Sequence, residues 1–157
     1  MTLTALLHDI GDHKYLLPKG GKDIPTETAE SILLSHSAPS ALAATVQKLV
    51  SHVSCSHEQA YPEAVAAVLA QYPELAVVQD ADRLDAIGAV GIGRAFTYGG
   101  ANGRTLMETK SVFESKLLMR EGMMRTEEGK RMAKERCNRL REFMNWWSEE
   151  LSGRTLS

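Results

Sequence analysis

The feature that most constrains this chain is the step at which its apolar residues recur. Leu42, Val46, Leu49, Val50 and Val53 follow one another at intervals of one, three and four residues, which makes one apolar stripe on a helix. The same spacing returns in Ala133, Leu140, Phe143, Met144 and Trp147 near the end. No segment shows the strict alternation of a half-buried strand, so the expected class is all-α, with about six or seven helices. With 157 residues there is room for one domain over 1–157 and too little for two ordinary ones.

Capping and breaking residues place the helices. TLTALLHDIG reads as the end of a helix that needs a partner, and HKYLLPKGGKD as a loop. Thr26 is the expected cap of a helix of about 11 residues in ETAESILLSH. Pro39 suits the first turn of a helix over 39–53, and Pro62 opens a short one that ends at Pro73. LAVVQDADRLDAIGAVGIGRAF reads as one buried helix of about 20 residues, because it is long, small and apolar. TYGGANGRT is a loop, ESKLLMREGMM a helix, and Thr126 the cap of a long final helix. Gly88, Gly91 and Gly93 lack a dinucleotide-binding pattern and are read as close helix packing. Trp146 and Trp147 are read as core or interface rather than a base-stacking platform.

Composition narrows the partners. Eighteen basic and 20 acidic residues leave a net charge of -2, so no general field favours nucleic acid or anionic lipid. No apolar run is long enough for a membrane span, and residues 1–7 lack the basic start of a secretion signal. Two cysteines make no disulfide framework, so a reducing, cytoplasmic setting is expected.

Six of the 20 acids are Asp, and five of those fall in two clusters: Asp9 with Asp12, and Asp80, Asp82 and Asp85. Asp is a poor helix former that serves caps, turns and metals, so the clusters invite a chemical reading. On a helix His8 and Asp12 stack at i and i+4, with Asp9 beside them. Held close in an apolar surround, such groups need a cation to join them. Mixed nitrogen and oxygen ligands suit Mn, Fe, Co, Ni or Mg better than a structural zinc. The plainer alternative stays open at this point: a surface His-Asp pair, with Asp80 or Asp85 pairing Arg83 or capping a helix.

HDIGD followed by DADRLDAIGAVGIGRAF and YGG resembles the HD-domain phosphohydrolase superfamily, in particular its small single-domain branch. ALLHDIGDHKY, VQDADRLDAIGAVGIGRAFTYGG and FESKLLMREGMMRTEEGKRMAKER carry the resemblance over nearly the whole chain. It implies an HD-type helical bundle that holds a divalent metal through the doublet His8-Asp9 and a later Asp. The Ala-Asp-x-Leu context of that Asp maps onto Asp82 rather than Asp80 or Asp85. The catalytic acid three residues after the doublet maps onto Asp12.

The family's first metal-binding His lies on a helix about 25–30 residues before the doublet. This sequence begins seven residues before His8, so the expectation is a bundle lacking that helix, with three metal ligands and weakened metal binding. The apolar groove so uncovered would favour a homodimer.

The resemblance implies a metal-dependent phosphohydrolase that attacks a phosphate ester or anhydride, a nucleotide first among substrates, with metal-activated water. Asp12 would accept or orient the water's proton. Lys14, Arg83 and Lys116 are the candidate phosphate contacts. His52, in an HVS segment that resembles the family's, either lines the site or borders the core as a satisfied histidine. His13, His36 and His57 are expected to face solvent, and Arg94 in GIGRAF is either structural or substrate-binding. The alternative function is a non-catalytic or impaired protein of the same fold that binds metal or ligand weakly.

Overall fold

A computed structural model describes residues 1–10 and 27–153. Among them are nine α-helices and no strand. The all-helical class is the one the apolar spacing predicts, while the helices are more numerous and shorter than the six or seven expected. In chain order they are α1 (Thr2–Leu7), α2 (Ala29–Ser35), α3 (Ser40–Val50), α4 (Cys55–Ala60), α5 (Pro62–Gln71), α6 (Leu75–Asp85), α7 (Gly88–Ala101), α8 (Leu106–Val112) and α9 (Glu127–Leu151). A single π-helical stretch, Phe113–Leu117, and a 3-10 stretch, Leu118–Met123, join α8 to the turn before α9. No helix among the described residues is long and apolar enough to cross a membrane.

The chain divides into two compact units, Met1–Val78 and Gln79–Ser157, and the boundary falls within α6. In the first unit, Ala29 and Leu33 of α2 bury against Ala43, Val46 and Val50 of α3, with Leu3 and Leu7 of α1 alongside. Leu49, Val53, Val68, Leu75 and Val78 form a second cluster. Leu42, the first member of the expected stripe, is 43% exposed, so the buried stripe begins at Ala43 and Val46.

In the second unit α9 supplies the floor of the core. Ala133, Cys137 and Leu140 are buried with Leu84, Ile87, Phe113, Leu117 and Met124, and Phe143 and Met144 pack against them. Trp147 stacks on Phe96 at a centroid distance of 5.6 Å, while Trp146 is exposed. The expected seam of the final helix is therefore the one it buries. Thr126 is its cap, with Oγ1 accepting from Gly129 N at 2.9 Å.

Several boundaries differ from the sequence reading, each for a physical reason. The cap of α2 is Thr28, which exchanges side-chain hydrogen bonds with Ser31, whereas Thr26 lies outside the described residues. The helix α4, absent from the sequence reading, is capped by Ser54.

The expected 20-residue helix over 75–96 is two helices. The chain turns at Ala86–Ile87 and Gly88 takes a φ of +77°, the left-handed region that a side chain makes costly. A Cβ on Gly88 would also lie 3.1 Å from Cγ of Arg136, whose Nη1 donates to the Leu84 carbonyl at 2.6 Å. Farther on, α7 runs through most of the expected TYGG loop, because Gly99 leaves room for the Thr109 side chain of α8. Thr105 and Glu108 form a reciprocal capping box that starts α8 earlier than expected. Residues 113–123 complete the change, as π and 3-10 turns in place of a regular helix.

If the turn at 86–88 depends on that backbone conformation, Gly88→Ala should destabilise the protein by about 1–3 kcal/mol. Urea unfolding monitored by circular dichroism checks this. An unchanged midpoint would show that the turn relaxes without cost.

Candidate functional site

The doublet closes α1. His8 is the residue at its C-terminal cap, half-buried, and its Nδ1 lies 2.8 Å from the Ala5 carbonyl. That contact favours the tautomer with the proton on Nδ1 and directs the lone pair to Nε2. Nε2 lies 3.4 Å from Asp9 Oδ1. Two ligands held about 2.0–2.2 Å from one ion stand about 2.8–3.6 Å apart at angles of about 90–110°, and the His8–Asp9 separation falls within that span. The backbone carbonyl on the far nitrogen is the usual support of a ligating imidazole. The doublet thus fits part of a divalent site. Among the described residues, no three His, Cys, Asp or Glu side chains are grouped to hold an ion. Asp12 and Lys14 lie outside the described residues.

The three Asp of α6 have three different surroundings. Asp80 is 3% exposed and accepts from Arg125 N at 2.9 Å, Thr126 N at 2.8 Å and Thr126 Oγ1 at 2.7 Å. Its carboxylate therefore caps the start of α9 from another helix. Asp85 is exposed and paired with Arg94, an exposed contact of small worth. Asp82 stands between them in sequence and is half-buried.

Arg83 is completely buried, with Nη1 donating to the Met123 carbonyl and lying 3.9 Å from Asp80 Oδ1. Every contact named for it is internal to the second unit. Lys116 is exposed within the π-helical stretch.

In the first unit, His52 is half-buried and its Nδ1 meets the Lys48 carbonyl at 2.7 Å. Its ring stands edge-on to His57, with centroids 4.9 Å apart, and His57 in turn lies 5.0 Å from the Tyr61 ring. His57 was expected in solvent. It is instead half-buried on α4, and its shielded Nε2 has no hydrogen-bond partner among the described residues. Burial first, and the neighbouring His52 second, hold its pKa below the usual imidazole value.

Sequence reasoning did not single out Gln79 or Arg125. Gln79 is completely buried and its Oε1 accepts from Arg125 Nε at 2.6 Å. The partners are 46 residues apart, and no local pattern announces such a pair.

No family profile matches the sequence. The uncharacterized protein YpgQ of Bacillus subtilis is 44% identical over 80 residues, which span 48% of this chain and 39% of that protein. The selenomethionine crystal structure of YpgQ superposes with a TM-score of 0.75 at 31% identity, covering 97% of this chain and 77% of that one. YpgQ in complex with ADP gives a TM-score of 0.72 at 30% identity, covering 97% and 76%. A protein of Bacillus thuringiensis described as an HD-superfamily hydrolase gives 0.64 at 26% identity, covering 96% and 72%.

The histidine pair yields a prediction. Because the folded pKa of His57 lies below its unfolded value of about 6.5, the unfolded state takes up the proton first as pH falls. Stability should therefore decline between about pH 7.5 and 5.5, and His57→Gln should flatten that decline. Thermal unfolding across this range checks it. Parallel profiles for the two proteins would contradict the assignment.

Proposed function

The chain belongs to the family of Bacillus subtilis YpgQ, and from that premise we propose that it is a metal-dependent phosphohydrolase acting on a nucleotide. The observation that carries this reading is the likeness, over 97% of the chain, to YpgQ in complex with ADP. The fold shared with a protein described as an HD-superfamily hydrolase supports the reaction class.

His8, Asp9 and Asp82 would hold a divalent ion, with Mn, Mg, Co, Ni and Fe all compatible with one imidazole and two carboxylates. When bound, such an ion supplies an acidified water and a Lewis acid for a phosphoryl oxygen. The Ala5 carbonyl holds the His8 ring in a fixed tautomer. Asp12 serves as the base that takes a proton from the attacking water. Lys14 and Lys116 contact the phosphates, whereas Arg83, expected as a third contact, is completely buried with Nη1 on the Met123 carbonyl and is closed to a substrate in this conformation. His52, whose Nδ1 meets the Lys48 carbonyl, would contact substrate. The buried, unbridged Cys55 and Cys137 accord with a reducing, cytoplasmic setting.

One observation favours a second reading, a protein of this fold that binds metal or ligand weakly and does not catalyse. It is the absence of a three-donor group among the described residues.

Phosphate or pyrophosphate release from a panel of nucleoside mono-, di- and triphosphates with added Mn(II) separates the two. The hydrolase reading expects turnover that falls about 10²–10⁴-fold in Asp12→Asn and is abolished in Asp82→Ala. No turnover of any nucleotide would favour the second reading. Activity unchanged by Asp82→Ala would remove Asp82 from the site.

A further inference from the structure

The turn before α9 carries an arginine that is exposed and yet fixed at both ends. Arg125 donates its backbone N–H to Asp80 Oδ1 at 2.9 Å and its Nε–H to Gln79 Oε1 at 2.6 Å. Both acceptors are buried side chains of α6: Gln79 is 0% exposed and Asp80 is 3% exposed. Consecutive residues of a helix stand about 100° apart around its axis, so the two bonds hold the arginine from different directions.

Stability alone is a poor reason for the Gln79–Arg125 bond. A surface arginine ordinarily keeps its rotamer freedom, and ordering it costs entropy. A buried amide oxygen also needs a donor, which an apolar residue at 79 would not. What the bond achieves is direction, because with Nε held the plane of the guanidinium is set. The charge is treated differently from that of the arginines on α9. Arg131, Arg139 and Arg141 are exposed and end on the carboxylates of Glu128, Glu135 and Glu121. Gln79 is neutral and orients Arg125 without cancelling its charge, and the nearby Asp80 carboxylate has Arg83 at 3.9 Å as counter-charge.

A guanidinium set in one plane suits a phosphate oxyanion, since parallel N–H groups meet two oxygens only in a defined orientation. Its ordering is met on folding rather than on binding. We propose that Arg125 binds a phosphoryl oxyanion through its guanidinium, with Gln79 as the residue that positions it. Taking that anion as the phosphate chain of a nucleotide rests on the function proposed above. Arg125 then fills the place that the sequence reading gave to Arg83.

The test is calorimetric titration of the full chain with pyrophosphate, free of metal, in about 0.15 M salt, where distant charges are screened. Circular dichroism sets a temperature at which each variant is folded. Arg125→Gln should bind about tenfold weaker or more. Arg125→Lys, which keeps the charge and loses the planar fork, should bind at least about threefold weaker. Arg131→Gln removes an equal charge from α9 and should bind as wild type does. Gln79→Met removes the acceptor at similar size and should weaken binding about threefold or more, but add nothing in the Arg125→Gln background. Should Gln79→Met fail to fold, the Nε–H resonance of Arg125 decides: it should exchange slowly with water and shift as pyrophosphate is added.

A wild type that does not bind pyrophosphate, wild-type affinity in Arg125→Gln or Arg125→Lys, or an equal loss in Arg131→Gln would overturn the inference. A Gln79→Met loss that persists in the double variant, or an Nε–H signal that exchanges rapidly or stays still, would overturn the positioning role. Nucleotide turnover unchanged in Arg125→Gln would also overturn the inference and leave the hydrolase reading standing. Pyrophosphate binding that depends on Arg125, in a protein that turns over no nucleotide, would sink that reading and support the anion site.

Discussion

A buried carboxylate organises the second unit. Asp80 has given up nearly all its hydration, and three donors from the Arg125–Thr126 turn replace it. Bonds to an ionised acceptor are about twice as strong as neutral ones, and a buried donor left without its acceptor costs about 1–3 kcal/mol. The same contacts explain residues that would otherwise look like poor choices. Gly129 stands in the first turn of a 25-residue helix, where glycine costs about 1 kcal/mol relative to alanine. A Cβ there would collide with the Asp80 carboxylate. Thr126 serves in both directions, donating to Asp80 and accepting from Gly129 N. Helix α9 thus begins where a side chain of α6 tells it to.

Arg83 adds the counter-charge. A guanidinium with no solvent exposure is costly unless its donors are met, and the Met123 carbonyl meets one of them while Asp80 lies 3.9 Å away. The cluster of three Asp therefore divides its labour. Asp80 holds the architecture, Asp85 makes an exposed pair with Arg94, and Asp82 is the member we assign to a metal. An acidic motif of this density is more than a ligand set, since two of its three carboxylates serve packing and surface pairing.

How much of this could be read from residues alone depended on the range of the interaction. The Thr126 cap and the Ala133–Leu140–Phe143 seam of α9 follow from local spacing, and the structure has both. Thr105 and Glu108 also spelled out a capping box before α8, a legible local signal that the reading of 97–105 as a loop passed over. The break in 75–96 was harder, because residues 85–96 keep an apolar, small character through the turn. What stops α6 is the conformation of Gly88 and an Arg136 contact from 52 residues away. The job of Asp80 was equally hidden, its partners lying 45 and 46 residues on. Within the candidate site, the doublet at the end of α1 was legible as a pair, and its 3.4 Å geometry suits a shared cation. The burial of His57 was not legible, because α4 carries little apolar signal of its own.

The proposed activity needs His8, Asp9 and Asp82 as metal ligands. Its most direct test is the loss of amide signals from a nitrogen-15 correlation spectrum as Mn(II) is added below one equivalent. Amides around His8–Asp9 and around Asp82 should broaden together, ahead of all others. Broadening confined to one of the two segments, or centred instead on the acidic end of α9 at Glu149 and Glu150, would contradict it.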